Sequence, residues 1–230
     1  MEKGFEADPA SVDPRVHRLA ALDACAVSDA MDKLGLSGTV SGLEQRSTTR
    51  RIAGRVVTCR LVAASEAPPR TGPPRHLGTT AIETASAGDI IVVEQRSGVD
   101  AGCWGGILTL GAKIRGVGGV IADGPVRDID EARGYDFPIY CRALTARTAR
   151  GRVAEVATNE PVTIGSIRVS AGDYAIADAS GVVFVPADEI DRLLATAEGI
   201  ARREAAMAAD LRAGKPISAV MGADYEHMLR

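Results

Sequence analysis

Two adjacent side chains, Arg127 and Asp128, carry the most distinctive chemistry in this sequence. An arginine guanidinium is planar and can bind a carboxylate through two parallel hydrogen bonds. An aspartate carboxylate offers the hard oxygen ligand that divalent cations prefer. Together they predict a site in which Arg127 holds a substrate by its carboxylate and Asp128 binds a metal ion beside it. The alternative interpretation is that both are solvated charges on a helix.

A glycine-rich segment, GCWGGIL at residues 102–108, lies shortly before this pair. Backbone N–H groups at the start of a helix bind anions, and glycines let a ligand approach the backbone closely. The motif by itself is common, because many helices follow a short glycine-rich turn. Beside Arg127 and Asp128 it predicts substrate contacts from four residues, which are Gly105, Gly106, Ile107 and Leu108.

The elements around these residues follow a βαβ rhythm. A helix is predicted over 104–115 and a strand over 118–123, which runs into a tight turn at Gly124 and Pro125. A second helix, 126–134, is expected to carry Arg127 and Asp128. Ligands of open α/β sheets gather at the carboxyl ends of the strands, and this turn is such a place.

The flanking segments complete an α/β protein, predicted as a single domain over residues 1–230. After Gly151, short strands punctuated by glycines are expected to form a run of hairpins. The remaining predictions are a loose arm at 1–15, a helix at 28–34 capped by Ser28 or Asp29, strands at 52–63, 89–95 and 137–143, a loop at 66–76, and helices at 77–87 and 187–213.

Composition narrows the function classes. A net charge of -3 and a pI near 5.7 provide no basic face, so no nucleic-acid partner is expected. No run of 18 apolar residues predicts a membrane span, and the polar start lacks a signal core, so a cytoplasmic protein is expected. The four cysteines are scattered and the three histidines dispersed. Any metal would therefore be held by oxygen, which favours Mg²⁺ or Mn²⁺.

Longer segments resemble the RraA-like family. The stretch at 105–152, containing RGVGGVIADGPVRD, is similar to the family's core. GSIRVSAGDYAIADASGVVFVPADEI at 165–190 is similar to its glycine-rich later segment. SDAMDKLG and TAIETASAGDIIVV fit as well, so the resemblance covers about residues 20 to 215. It implies a β/β/α swivelling-domain fold with mixed sheets and a long carboxyl-terminal helix.

The family includes class II pyruvate aldolases, such as 4-hydroxy-4-methyl-2-oxoglutarate aldolase, and regulators of ribonuclease E. The resemblance implies that Arg127 binds the substrate carboxylate and Asp128 the metal. The aldolases also carry an aspartate twenty-one places before the arginine, where this chain has Gly106. Asp100 and Asp123 are the nearby carboxylates that would compensate.

The resemblance also implies a homotrimer or a dimer of trimers. In such rings a glutamate from the terminal region of a neighbouring subunit completes each site. Glu204 is the best match for that residue, with Glu198 as the alternative. The alanine- and leucine-rich terminal helix, including Leu193, Leu194 and Leu211, is expected to pack against another subunit.

The leading functional hypothesis is a divalent-metal-dependent lyase that cleaves or decarboxylates a small 2-oxo acid. Decarboxylation needs no base to remove a hydroxyl proton, so it tolerates Gly106 better than aldol cleavage does. One alternative is a non-catalytic, protein-binding regulator of a ribonuclease, against which the presence of Asp128 argues. Another is a lyase or hydratase that Gly106 redirects to a different substrate.

Overall fold

The computed structural model describes residues 13–69 and 75–222 and combines mixed β-sheets with helices. The strands are β1 (Thr39–Val40), β2 (Glu44–Gln45), β3 (Ile52–Ala63), β4 (Ile90–Gln95), β5 (Gly119–Val126), β6 (Ile139–Leu144), β7 (Val153–Thr158), β8 (Val162–Ile164), β9 (Ile167–Val169), β10 (Tyr174–Asp178) and β11 (Gly181–Val185). The helices are α1 (Pro14–Ala20), α2 (Ala24–Lys33), α3 (Thr79–Thr84), α4 (Gly106–Arg115), α5 (Ile129–Gly134), α6 (Ile190–Arg212) and α7 (Ile217–Val220).

The main sheet runs in the order β1-β11-β10-β3-β4-β5-β6-β2, and β7 also pairs with β3. Strands β3 to β6 are parallel to one another, whereas β10 and β11 are antiparallel. Strand β3 joins the parallel and the antiparallel parts of the sheet. It is parallel to β4, and its other edge pairs with β10 along its first half and with β7 along its second half. The predicted α/β fold with mixed sheets and a long carboxyl-terminal helix is confirmed.

The parallel strands form the middle of the core. The apolar run from Ile90 to Val93 in β4 is fully buried, as expected for a parallel strand covered on both faces. One apolar cluster on this sheet includes Trp104 and Leu108 and lies beneath α3, α4 and α5. The sheet therefore holds the starts of α4 and α5 in fixed positions at the ends of β4 and β5.

Helix α6 has two different halves. Ile190, Leu193, Leu194 and Ile200 are buried in the cluster that α6 shares with α1 and α2. The expectation that Leu193 and Leu194 face another subunit is therefore wrong, because they fill this chain's own core. Beyond Ile200 most side chains are exposed, and the Leu211 side chain is among them.

Two helix starts differ from the sequence prediction. Pro14 and Arg15, at the end of the predicted loose arm, begin α1, and the Asp13 carboxylate caps this helix by accepting a hydrogen bond from the Arg15 N–H at 3.0 Å. Residues 1–12 of that arm lie outside the described residues. Helix α2 begins at Ala24 rather than near Ser28, because the Asp23 carboxylate accepts a hydrogen bond from the Ala26 N–H at 2.8 Å.

The predicted run of hairpins is correct only in part. Strands β8 and β9 form one hairpin and β10 and β11 another. Strand β7 instead pairs antiparallel with β3, more than eighty residues earlier in the chain. The reason is the length of β3, which extends past β10 and leaves an edge that β7 covers.

Candidate functional site

A cleft of about 170 Å³ lies at the carboxyl end of β5. The β4–α4 connection crosses this end of the strand: Cys103 N–H donates to Pro125 O, and Arg127 N–H donates to Trp104 O. The cleft is lined by residues of the glycine-rich segment, by the Arg-Asp pair and by two further short segments: Gly102, Trp104, Gly105, Gly106, Ile107, Leu108, Arg127, Asp128, His76, Leu77, Thr148 and Ala149. All the residues predicted for the site, except Glu204, therefore lie together.

The local structure around Arg127 and Asp128 differs from the prediction. Strand β5 continues through Gly124 and Pro125 to Val126, and α5 begins only at Ile129, so the pair lies between strand and helix. Asp128 is the N-cap residue of α5 and has a left-handed backbone, with φ of 57°. Aspartate tolerates this conformation at a cost of about 1 kcal/mol.

The Asp128 carboxylate caps the start of α4. Its Oδ2 accepts a hydrogen bond from the Gly106 N–H at 3.0 Å, and both of its oxygens lie 3.1 Å from Nε of Arg127. A negative charge is stabilised at the amino terminus of a helix. The side chain still keeps 30% of its surface exposed, so its remaining lone pairs face the cleft.

Arg127 lies against the glycine-rich segment. A Cβ added to Gly102 would come within 2.9 Å of Cγ of Arg127, and one on Gly105 within 2.9 Å of Oδ2 of Asp128. A side chain at either position would therefore have to displace Arg127 or Asp128. Among the described residues, the Nη atoms of Arg127 have no hydrogen-bond partner, and its side chain is 35% exposed. The outer edge of the guanidinium is thus available to a ligand.

Gly106 contacts a third charged side chain that the sequence reasoning did not select. A Cβ at this position would lie 1.9 Å from Oε2 of Glu131, which shows that the Glu131 carboxylate lies directly over Gly106. Glu131 follows Asp128 by three residues, a spacing that places both on one side of a short helical turn. This spacing places Glu131 beside Gly106 because α5 begins at Ile129.

Asp100 and Asp123, considered as compensating acids, are both paired with other groups. The Asp123 carboxylate is 7% exposed and accepts hydrogen bonds from Nε of Arg142 at 2.7 Å and the Gly165 N–H at 2.6 Å. Asp100 forms an exposed ion pair with Arg147 at 3.2 Å. Neither lines the cleft, so the geometry does not support either residue as a replacement.

Glu204 and Glu198 lie on α6, and neither lines the cleft of its own chain. Desolvation and the nearby carboxylates of Asp23 and Asp29 raise the pKa of Glu204. Glu198 binds the Arg18 guanidinium at 2.7 and 3.1 Å, and this hydrogen bonding lowers its pKa. A role for Glu204 at the site therefore requires a neighbouring chain and stays a prediction.

Trp104 and Cys103 form the buried wall behind the cleft. The Trp104 indole is 1% exposed and donates a hydrogen bond from Nε1 to Oγ1 of Thr109 at 3.0 Å. Burial raises the pKa of the Cys103 thiol well above its usual range, so it stays protonated and is a poor nucleophile. These two residues position the segment rather than react.

The donor chemistry of the cleft fits a hard divalent cation. Asp128 and Glu131 both present carboxylate oxygens next to Gly106, and small Mg²⁺-like ions prefer such ligands. Within residues 13–69 and 75–222, no group of three or more His, Cys, Asp or Glu side chains could hold a metal. A cation here would therefore take most of its ligands from water and substrate, as Mg²⁺ commonly does.

A second depression, of about 450 Å³, lies at the start of β4 near Gly88 and Asp89. Its acidic side chains are already used by the fold: Asp89 accepts the Ser86 N–H, and Asp13 binds Arg15 and Tyr174. It also lies at the amino end of the parallel strands, where ligands of α/β sheets rarely bind. The smaller cleft is the better candidate site.

Fold and cleft together define an α/β protein with its candidate ligand site at the carboxyl edge of its parallel strands. A family model described as RraA-like (Aldolase/RraA) matches residues 24–184. The chain therefore belongs to the RraA-like family, as the resemblance predicted. In the part of the chain that the structure describes, no helix has the length and apolar character needed to cross a bilayer.

Several curated relatives are similar to this chain. A Halalkalibacterium halodurans protein, provisionally named 4-hydroxy-4-methyl-2-oxoglutarate aldolase, is 26% identical over 174 residues, covering 75% of this chain and 76% of the relative. A Deinococcus radiodurans protein with the same provisional name is 33% identical, over 46% of this chain and 66% of its own. DlpA of Legionella pneumophila is 24% identical over 73% of this chain, which spans only 27% of DlpA.

Solved structures share the fold. An uncharacterised Pseudomonas syringae protein superposes with a TM-score of 0.80 at 24% identity, covering 90% of this chain and 96% of its own. Streptomyces coelicolor RraAS2, described as an unusual member of the RNase ES inhibitor RraA protein family, superposes with a TM-score of 0.73 at 22% identity. The match covers 86% of this chain and 96% of RraAS2. At these identities the likeness concerns the fold alone.

Proposed function

We propose that this protein is a divalent-metal-dependent carbon–carbon lyase acting on small 2-oxo acids. One observation carries the proposal: a guanidinium and a carboxylate lie together in one cleft. The outer edge of the Arg127 guanidinium has no protein partner among the described residues, and the Asp128 carboxylate is partly exposed. Arg127 would bind the substrate's C1 carboxylate through its Nη atoms. Asp128 would hold Mg²⁺ or Mn²⁺ next to the C2 oxygen.

The start of α4 would assist in binding the anionic substrate. The first N–H groups of a helix have no partners within it, and here they lie at Gly106, Ile107 and Leu108 in the cleft wall. When bound, the cation would supply Lewis-acid stabilisation of the negative charge that develops on the C2 oxygen. The protein groups orient the substrate so that its C3–C4 bond lies in the cleft.

Decarboxylation of an oxaloacetate-like acid is the simplest reaction for this site. The C3–C4 bond breaks, carbon dioxide leaves, and the electron pair becomes the enolate of pyruvate, which then takes a proton at C3. Aldol cleavage breaks the same bond but also needs a base to remove a proton from the C4 hydroxyl. Gly106 cannot serve as that base, which favours decarboxylation.

Purified protein with Mn²⁺ or Mg²⁺ tests the proposal on a panel of oxaloacetate and 4-hydroxy-2-oxo acids, with pyruvate release as the readout. We expect metal-dependent release that is fastest with oxaloacetate and is abolished by a chelator. No release from any member of the panel would instead favour the non-catalytic, protein-binding alternative.

We also propose a homotrimer or a dimer of trimers in which Glu204 of one chain stands near Asp128 of the next. The second half of α6, with Glu204 and Leu211, is exposed and free to reach a neighbour. Ile107, in the cleft wall, and Ile114, about two turns further along α4, are exposed apolar side chains that a neighbouring chain would cover. Head-to-tail contacts close into a ring when the rotation between successive subunits adds up to a full turn, which is a third of a turn per subunit in a trimer.

Mixing two inactive chains tests this arrangement. Asp128→Ala and Glu204→Ala chains, unfolded and refolded together, should regain activity at the boundaries that carry both intact residues. Random mixing makes about a quarter of the boundaries intact in a ring. Each variant refolded alone is the control. A monomer by light scattering, or no regain in mixed rings, would contradict the arrangement.

A further inference from the structure

We infer that Glu131 supplies a second carboxylate to the cation site, from the space that a side chain at position 106 would otherwise fill. The inference rests on the proposed function, because it adds a residue to the same site. It also changes how Gly106 is understood: the glycine does not leave a gap but makes room for an acid from another element.

The geometry around Gly106 carries the inference. A Cβ built on Gly106 would lie 1.9 Å from Oε2, 2.6 Å from Cδ and 3.1 Å from Oε1 of Glu131. The whole carboxylate therefore covers this face of the glycine. On the same residue, the Gly106 N–H donates to Oδ2 of Asp128 at 3.0 Å. Gly106 is thus in contact with both carboxylates, of which Asp128 lines the cleft and Glu131 lies on the neighbouring surface of α5.

Glu131 is also the acid in this region that is not already committed to the fold. The Asp130 carboxylate binds Nη1 of Arg133 at 2.7 Å. Within the described part of the chain, the Glu131 side chain makes neither a hydrogen bond nor an ion pair, and it is exposed. It therefore has its lone pairs available for a ligand.

The charge balance identifies the ligand class. Asp128 and Glu131 contribute two negative charges, and Arg127 contributes one positive charge. The cluster is left with a net negative charge beside the cleft, and two of its three side chains, Arg127 and Asp128, are partly buried. Charge interactions between partly buried groups are stronger than in bulk water. A divalent cation reverses that sign and makes the site attractive to an anionic substrate. Two carboxylates with additional water ligands suit a hydrated Mg²⁺ or Mn²⁺.

Titration calorimetry with Mn²⁺ on the full-length protein tests the inference without relying on turnover. Glu131→Gln keeps the shape of the side chain and removes its charge, so Mn²⁺ affinity should fall by about 10- to 100-fold, the range for carboxylates that support a metal site. Asp130→Asn is the matched control, because it removes the same charge one residue away. Its exposed ion pair contributes little, so affinity should stay within about twofold.

The outcomes separate this inference from the proposed function. Equal Mn²⁺ affinities for Glu131→Gln and Asp130→Asn would overturn the role of Glu131. A wild-type protein that does not bind Mn²⁺, or binds it no better than Asp128→Ala, would overturn the proposed cation site itself.

A relocation experiment gives a second, independent result. The Cβ of Gly106→Asp alone would collide with the terminal carboxylate of Glu131, which is exposed and would have to turn away. In Gly106→Asp/Glu131→Ala the collision is removed and a carboxylate occupies the same space from the α4 side. We expect this double variant to bind Mn²⁺ at least about tenfold more tightly than Gly106→Ala/Glu131→Ala. Equal affinity of the two double variants would mean that a carboxylate in this space does not contribute to cation binding.

Discussion

Strand β5 and the turn that follows it carry two aspartates, five residues apart, in contrasting surroundings. Asp123 is almost fully buried, and its carboxylate is enclosed by Arg142 and the Gly165 N–H. Asp128, just beyond the strand, is half-buried, and its partners all lie on one side. Asp123 therefore links segments of the fold, whereas Asp128 keeps lone pairs available to a ligand.

The difference follows from how the hydrogen bonds are distributed. The Arg142 guanidinium that binds Asp123 also donates to the Ser41 carbonyl at 2.7 Å, so the network ties together β6, the β1–β2 connection and the β8–β9 turn. Asp128 instead bonds to its own neighbour Arg127 and to the first residue of α4. We expect substitutions at Asp123 to change stability and substitutions at Asp128 to change activity.

The largest effect is expected for Asp128→Ala. Metal-dependent pyruvate release should be lost, because the substitution removes the proposed cation ligand, while Tm should change by only a few degrees, since this side chain is only partly buried. Turnover and thermal unfolding are measured on the same preparation. Full activity in this variant, with a chelator still inhibiting, would place the metal elsewhere.

Arg127→Lys should be nearly as damaging as Arg127→Ala. A lysine ammonium carries the charge but cannot provide the planar, two-point contact with a carboxylate. We expect kcat/KM to fall by an amount equivalent to about 2 to 4 kcal/mol for both variants. Unchanged kcat/KM in Arg127→Lys would show that Arg127 does not bind the substrate carboxylate.

Asp123→Asn tests the buried aspartate, whose carboxylate is bound by other groups of the protein. Removing one charge of a buried pair leaves the Arg142 guanidinium uncompensated, and since that side chain is about a third exposed, the expected loss is about 2 to 3 kcal/mol in the free energy of unfolding. Denaturant titration measures this loss, and activity per folded molecule should be unchanged. A variant as stable as wild type but inactive would reverse the roles assigned to the two aspartates.

Asp13 is another aspartate whose carboxylate is bound by protein groups, here Arg15 and Tyr174. Its substitution is expected to have the smallest effect of those considered. Hydrogen bonds from Arg15 hold its pKa well below the usual range, and the Tyr174 hydroxyl, which donates to it at 2.6 Å, contributes as well. Asp13→Asn should lower the free energy of unfolding by about 1 kcal/mol near pH 7, because hydrogen bonds to the charged wild-type carboxylate are stronger than those to a neutral amide.

The sign of the pH dependence is a direct check on Asp13. Because its folded pKa lies below its unfolded one, its contribution is complete above the unfolded pKa, near 4, and is lost as the pH falls further. The difference in stability between wild type and Asp13→Asn should therefore shrink between about pH 5 and pH 2. A difference that stayed constant with pH would mean that the ionised form of Asp13 is not what stabilises α1.

Local patterns were sufficient for much of the fold. The apolar run in β4, the alternating β3 and the alanine-rich α6 all occur where the sequence predicts them, because each depends on periodicity within one element. The errors came from contacts between distant segments. Strand β7 pairs with β3 because of an edge that no local pattern describes.

The sequence by itself determined the types of residue in the candidate site and the family to which the chain belongs. Arg127, Asp128 and the glycines before them are adjacent or closely spaced, so their shared location followed from the βαβ pattern. Only the tertiary structure decided which acid lies over Gly106. That depends on the left-handed backbone at Asp128, which starts α5 at Ile129 and brings Glu131 to α4, a contact between two elements that sequence spacing does not encode.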